Sequence, residues 1–135
     1  MKVVAINSSP RADGNTQILL ETVMQEIQKG GIEVQSIHIG GILWRGCVGC
    51  GKCGEGGDPN CVYTDDIFNE CFHKILQAQG VLLGTPVYTS DVTTSMKAFL
   101  ERSATVRRLC GNLFKYKIAA GIVAARRAGF LHAFD

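Results

Sequence analysis

Four short apolar runs alternate with three longer stretches of helical periodicity, and this alternation constrains the fold more than any other feature. Val3-Val4-Ala5-Ile6, the Ile32–Ile39 segment, Val81-Leu82-Leu83 within Gly80–Thr85, and Lys117–Ala125 read as strands. Residues 15–29, a segment starting near Thr64, and residues 93–109 read as helices. Continuous apolar strands belong to a sheet covered on both faces. One helix between successive strands makes right-handed crossover units. The order βαβαβαβ therefore predicts a doubly wound, three-layer parallel α/β sheet, one domain over residues 1–135. The alternation of the second strand slips near Ser36, which marks an edge strand or a bulge.

The helices declare their faces. Leu20, Val23, Met24 and Ile27 recur at helical spacing and should face the sheet, and Gly30-Gly31 ends that helix. Ile67, Phe68, Cys71, Phe72, Ile75 and Leu76 form the apolar side of the second helix, with a cap expected among Thr64-Asp65-Asp66. Cys71 reads as a small core residue, and His73 as a solvated one. Met96, Phe99, Leu100 and Leu109 mark the core side of the third helix. The small residues of the fourth strand suggest helices packed closely over it.

In doubly wound sheets ligands sit beyond the carboxyl ends of the strands, where the winding reverses. The loops Ser8–Thr16, Pro86–Ser90 and Arg126–Gly129 should gather there. The first offers a helix N-terminus, neutral donors on Ser8, Ser9, Asn15 and Thr16, and a charged donor on Arg11. That combination suits a phosphate. Asn15 or Thr16 can equally serve as an ordinary helix cap. No G-x-x-x-x-G-K-[ST] is present, and no G-x-G-x-x-G follows the first strand. The literal match at Gly49, Gly51 and Gly54 lies among cysteines with no strand before it. Pro86 and Tyr88 offer flat apolar contact and Ser90 a hydroxyl. The two loops together fit a ligand with a planar ring at one end and a phosphate at the other.

Residues 40–63 form a long glycine- and cysteine-rich insertion, too long to be a passive connection. Of six cysteines, four fall at Cys47-x2-Cys50-x2-Cys53-x7-Cys61. A chain of this length builds its own core, so metal or cluster binding is the better reading than a disulfide framework. Three thiols two residues apart let one loop wrap three corners of an iron–sulfur cubane, and a remote fourth closes it. Zinc prefers two separated pairs, and metal-free thiols are the remaining alternative. The net charge of +2 implies neither a nucleic-acid nor an acidic partner. No apolar stretch approaches the ~20 residues of a membrane span, and no signal-peptide pattern opens the chain. A soluble, cytoplasmic chain is expected, with no membrane partner.

Ser9-Pro10-Arg11-Ala12-Asp13-Gly14-Asn15-Thr16, then Pro86-Val87-Tyr88 and Lys97 to Arg102, resemble the flavodoxin-like NAD(P)H-dependent FMN reductase family. The cysteine run resembles that of its iron–sulfur flavoprotein branch. The resemblance implies FMN with its phosphate on Ser9, Arg11, Asn15 and Thr16. It implies the isoalloxazine ring against Pro86, Val87, Tyr88 and Ser90, with Arg126 in the neighbouring loop. It also implies a [4Fe–4S] cluster on Cys47, Cys50, Cys53 and Cys61. The family's domain has five strands in the order 2-1-3-4-5, whereas this chain stops just after its fourth. Either a further repeat belongs to the fold or another chain covers that edge, and a homo-oligomer is expected.

These features imply an FMN-dependent oxidoreductase that passes electrons from NAD(P)H, or from a protein donor such as ferredoxin, to an acceptor. The alternatives are an NAD(P)H-dependent FMN or quinone reductase without a cluster, a passive electron carrier, and a non-redox zinc module. The chemistry resides on the flavin, and no catalytic side chain is expected. His38, His73 and His132 sit in no recognisable motif.

Overall fold

A computed structural model describes residues 1–135. The elements are β1 (Lys2–Asn7), α1 (Asn15–Lys29), β2 (Glu33–His38), α2 (Phe68–Gln77), β3 (Gly80–Pro86), α3 (Thr94–Leu109) and β4 (Ile118–Ala124). All pairings are parallel, in the order β2-β1-β3-β4. This is the expected flavodoxin-like α/β sheet. The order reverses between β1 and β3, so the ligand edge lies at the ends of those strands. β2 is an edge strand without a bulge: its register runs unbroken from Lys2↔Glu33 to Asn7↔His38.

α1 covers one face, where Ala5, Leu20 and Leu82 are buried against Met24, Ile27 and Ile122. α2 and α3 cover the other. There Val4, Ile6, Phe68, Phe72, Ile75, Val81, Met96, Phe99 and Val106 form the main core. Phe68 and Phe72 stack at 5.5 Å, and Phe68 meets Phe99 at 5.8 Å. Cys71 is buried in this core, as expected.

Several local expectations are corrected. α2 starts at Phe68, because the Asp66 carboxylate accepts the Phe68 N–H at 3.0 Å before the helix begins. Val23 lies at the margin of the α1 stripe and is exposed. On α3, Leu100 and Leu109 are exposed, while Ser95, Ala98, Arg102 and Ser103 are buried. This helix is covered by the cysteine loop as well as by the sheet. His73 is half-buried and donates from Nε2 to Asn60 Oδ1 at 2.6 Å. β4 is not closely covered by helices along its length. Ile118 is 77% exposed, and α1 covers the strand only toward its carboxyl end, at Ile122, while the Phe134 ring lies against the backbone at Gly121. No helix is long and apolar enough to cross a membrane.

Candidate functional site

A cleft of about 640 Å³ opens at the carboxyl edge of the sheet. Ser9, Arg11, Asn15 and Thr16 line one side of it, Pro86, Val87 and Tyr88 another, and Val123 to Arg126 a third. Eight of the nine residues expected to hold the ligand therefore meet in one cavity, within the size range of small-molecule sites. Ser90 stands apart from the cleft lining. With Thr89 it forms a tight turn, both at positive φ, between the paired backbones of Tyr88 and Asp91. The turn leaves Tyr88 46% exposed at the cleft rim. Gly129, at φ 91°, lets the β4 loop touch this turn, since a Cβ there would lie 2.7 Å from the Ser90 Cα.

The loop after β1 is held from below and behind. Ser8 Oγ donates to Gly84 O at 3.1 Å and accepts from the Thr93 hydroxyl at 2.8 Å. Thr93 in turn caps α3 by accepting from Met96 N. Asn7 Oδ1 accepts from Ser9 N, and Ser9 Oγ accepts from Arg11 N at 3.2 Å. His38 Nε2 donates to Ser9 O at 2.6 Å, a brace with no sequence motif to announce it. Gly40 packs flat on the same residue: a Cβ there would lie 1.8 Å from Ser9 O.

The expected side-chain cap of α1 is absent. Its N-cap is Gly14, and Asn15 and Thr16 occupy the first helical turn instead. The backbone N–H groups of Asn15 and Thr16 have no acceptor in the chain. Two unpaired amides, the positive end of a helix and the Arg11 guanidinium thus converge on the cleft, a set of donors fit for a phosphate. Sequence reasoning missed Ile18 and Leu19, exposed apolar residues on the first turns of α1 that line the same cavity.

The four expected metal ligands line a second concavity. Cys47, Cys50, Cys53 and Cys61 surround it together with Tyr63, Arg102, Thr105 and Val106. All six cysteines are free thiols. Burial, then the neighbouring Cys61, Cys110, Cys50 and Cys47, push the Cys53 thiol above its ordinary value. Asn69 pins Cys61 with paired bonds: its Oδ1 accepts Cys61 N at 2.8 Å and its Nδ2 donates to Cys61 O at 2.9 Å. No three metal-ligating side chains converge closely enough to hold a single ion. Arg102 is 1% exposed and ion-paired with the buried Asp66, and its guanidinium lies 4.1 Å over the Phe68 ring. Nearer the surface, the Arg45 guanidinium hydrogen-bonds Asp65 and holds that carboxyl below its usual range.

Residues 1–134 match the family described as NADPH-dependent FMN reductase. The chain belongs to that family. An iron–sulfur flavoprotein of Methanocaldococcus jannaschii is 35% identical over 130 residues, covering 96% of this chain and 65% of the relative. One from Archaeoglobus fulgidus is 37% identical over 102 residues, covering 76% of this chain and 45% of the relative. This family member therefore spans roughly half to two-thirds of the length of those relatives. Its fold superposes on RosB with bound 8-demethyl-8-formylriboflavin-5′-phosphate, with a TM-score of 0.72 at 20% identity, over 98% of this chain and 55% of that one.

Proposed function

We propose that this chain binds FMN in the β1/β3 cleft and works as a flavin-dependent oxidoreductase, passing electrons between a reduced donor and an acceptor. The observation that carries the proposal is the cleft itself. It brings the unpaired N–H groups of Asn15 and Thr16 and the Arg11 side chain together with the apolar residues Pro86, Val87 and Tyr88 within one cavity. The N–H groups of Asn15 and Thr16 and the Arg11 guanidinium hold the phosphate, and the Ser9 hydroxyl adds a donor beside them. Pro86, Val87 and Tyr88 form the wall for the ring. The Arg126 loop closes the far side, with Ser90 at the turn tip next to it. FMN, when bound, supplies the redox chemistry, and the protein supplies position and electrostatics.

We place a [4Fe–4S] cluster on Cys47, Cys50, Cys53 and Cys61. The donor set fits: four free thiols rim one pocket, one of them fixed through its backbone by Asn69. Zinc at about 2.3 Å from each sulfur needs thiolates about 3.8 Å apart. Thiols spread around a rim suit the wider corners of a four-iron body better. The same spread supports a second reading, an NAD(P)H-dependent FMN or quinone reductase without a cluster. NAD(P)H or a protein such as ferredoxin serves as donor in either case. Cleft and cysteine pocket are separate sites with no lining residue in common. A second copy that sets its cysteine loop against this cleft shortens the path. A homo-oligomer is part of the same proposal.

Arg11→Ala tests the cleft. Loss of a charge-assisted bond to the phosphate should weaken FMN binding by about 1.5–3 kcal/mol, roughly 10- to 150-fold, in a flavin-fluorescence titration. Unchanged affinity would place the phosphate elsewhere.

A further inference from the structure

One side chain of α3 holds a sulfur of the cysteine run directly. The Cys47 thiol donates to Thr105 Oγ1 at 3.5 Å, and both residues line the cysteine pocket. The Thr105 hydroxyl donates in turn to Glu101 O, one helical turn back, at 2.9 Å. A hydroxyl has one donor and two acceptor positions, so the two bonds do not compete. Between residues 46–53 and the strands and helices of the fold, the Cys47–Thr105 contact is the one hydrogen bond. Gly49 and Gly51 stand clear, since a Cβ at either would meet nothing within 4 Å. The run meets α3 again at its far end. Gly54, at φ 79°, lies on the sulfur of Cys110, the α3 C-cap, which a Cβ would reach at 2.7 Å.

We propose that Thr105 is a positioning residue for the cysteine site: its hydroxyl holds the Cys47 sulfur against α3 in the metal-free chain, so the run is already strapped across the last turns of this helix. The thiol contact stands on its own, and its use in holding iron rests on the cluster reading above. A glycine-rich loop loses much conformational freedom when it gathers several thiols, and a thiol fixed in advance lowers that cost. Partners that orient ligating side chains act in this way in metal sites generally. The hydroxyl proton is a rotor. Once Cys47 has lost its own proton, Thr105 turns to donate to the sulfur in place of Glu101 O. The alternative is that Thr105 serves only α3, since a helical threonine often bonds the carbonyl four residues back. Thr22 does this on α1, donating to Ile18 O at 2.9 Å, and supplies the control.

The reduced, metal-free chain is treated with iodoacetamide, and alkylation of Cys47 and Cys50 is followed by peptide mass spectrometry. Thr105→Val keeps the side-chain shape and loses the hydroxyl. Cys47 should then react about threefold faster or more, with Cys50 unchanged. Thr105→Ser should restore the wild-type ratio, and Thr22→Val should not move it. After anaerobic reconstitution with iron and sulfide, Thr105→Val should lose iron to a chelator about three- to tenfold faster than wild type, and Thr105→Ser should not. An unchanged Cys47-to-Cys50 ratio in Thr105→Val, or a Thr105→Ser protein that behaves like Thr105→Val, would overturn the anchor and leave the cluster reading intact. Equal rates of iron loss would overturn its use in the loaded site. A wild-type protein that takes up no iron would overturn the cluster reading, and the thiol ratio alone would then decide the anchor. If Thr105→Val fails to fold, Thr105→Ala decides on the same ratio.

Discussion

Gly40→Ala is a one-carbon test of how the phosphate loop is held. The new Cβ would sit 1.8 Å from Ser9 O and 2.2 Å from Ser9 C, where ordinary contact begins at 3.4 Å. The obstacle is backbone, so no rotamer change relieves it, and the loop must retreat by about 1.6 Å. A movement of that size breaks the 2.6 Å bond from His38 to Ser9 O and displaces Arg11, whose N–H rests on Ser9 Oγ. Overpacking of this kind costs about 1–3 kcal/mol of stability. Displaced phosphate donors cost about as much again in binding, so FMN affinity should fall roughly 10- to 100-fold. Urea unfolding measures the first and flavin-fluorescence titration the second. Gly56→Ala is the control, because a Cβ there meets nothing within 4 Å. A Gly40→Ala protein with FMN affinity within about twofold of wild type and the same urea midpoint would refute the close-packed loop.

Burial pushes the Cys71 thiol up to about 11. The folded state thus favours the neutral thiol, and that contribution is complete below the unfolded value near 9 and lost as pH rises through 11. Stability should drop by about 2–3 kcal/mol across this window. Urea midpoints at both ends should show the drop, and Cys71→Ala should flatten it. Asn69→Ala removes both bonds that fix the Cys61 backbone, so reconstituted protein should lose iron faster to a chelator while keeping its FMN affinity. Equal rates would show that Cys61 needs no such brace. Sedimentation at micromolar concentration should show an oligomer, and a clean monomer would refute the proposed assembly.

Much of the fold was legible because periodicity reports burial. β1, α1 and β3 fall at their expected places, since their apolar runs are continuous and their ends carry turn residues. The cleft was legible too, because topology alone brings the loops after β1, β3 and β4 to one edge. What escaped notice depends on contacts between distant residues. α3 hides a charged residue among its buried positions: Arg102 is paired with Asp66, 36 residues earlier, a contact that helical periodicity does not encode. His38 and Asn69 act through backbone groups of Ser9 and Cys61, which no side-chain pattern encodes. The helix cap failed because Gly14, with no side chain, takes the position expected of Asn15 or Thr16. β4 misled for the opposite reason: small residues pack closely only where something covers them, and here little does.

The central claim is that one chain holds both a flavin and a cluster. It is tested most directly by cofactor analysis of protein purified and reconstituted under anaerobic conditions. The account predicts a yellow-brown protein with about one FMN and about four irons and four sulfides per chain. It also predicts that replacing Cys50 by Ala abolishes the iron and leaves the FMN. A colourless protein, or one that holds FMN with less than about one iron per chain and is unaffected by the Cys50 change, would contradict it.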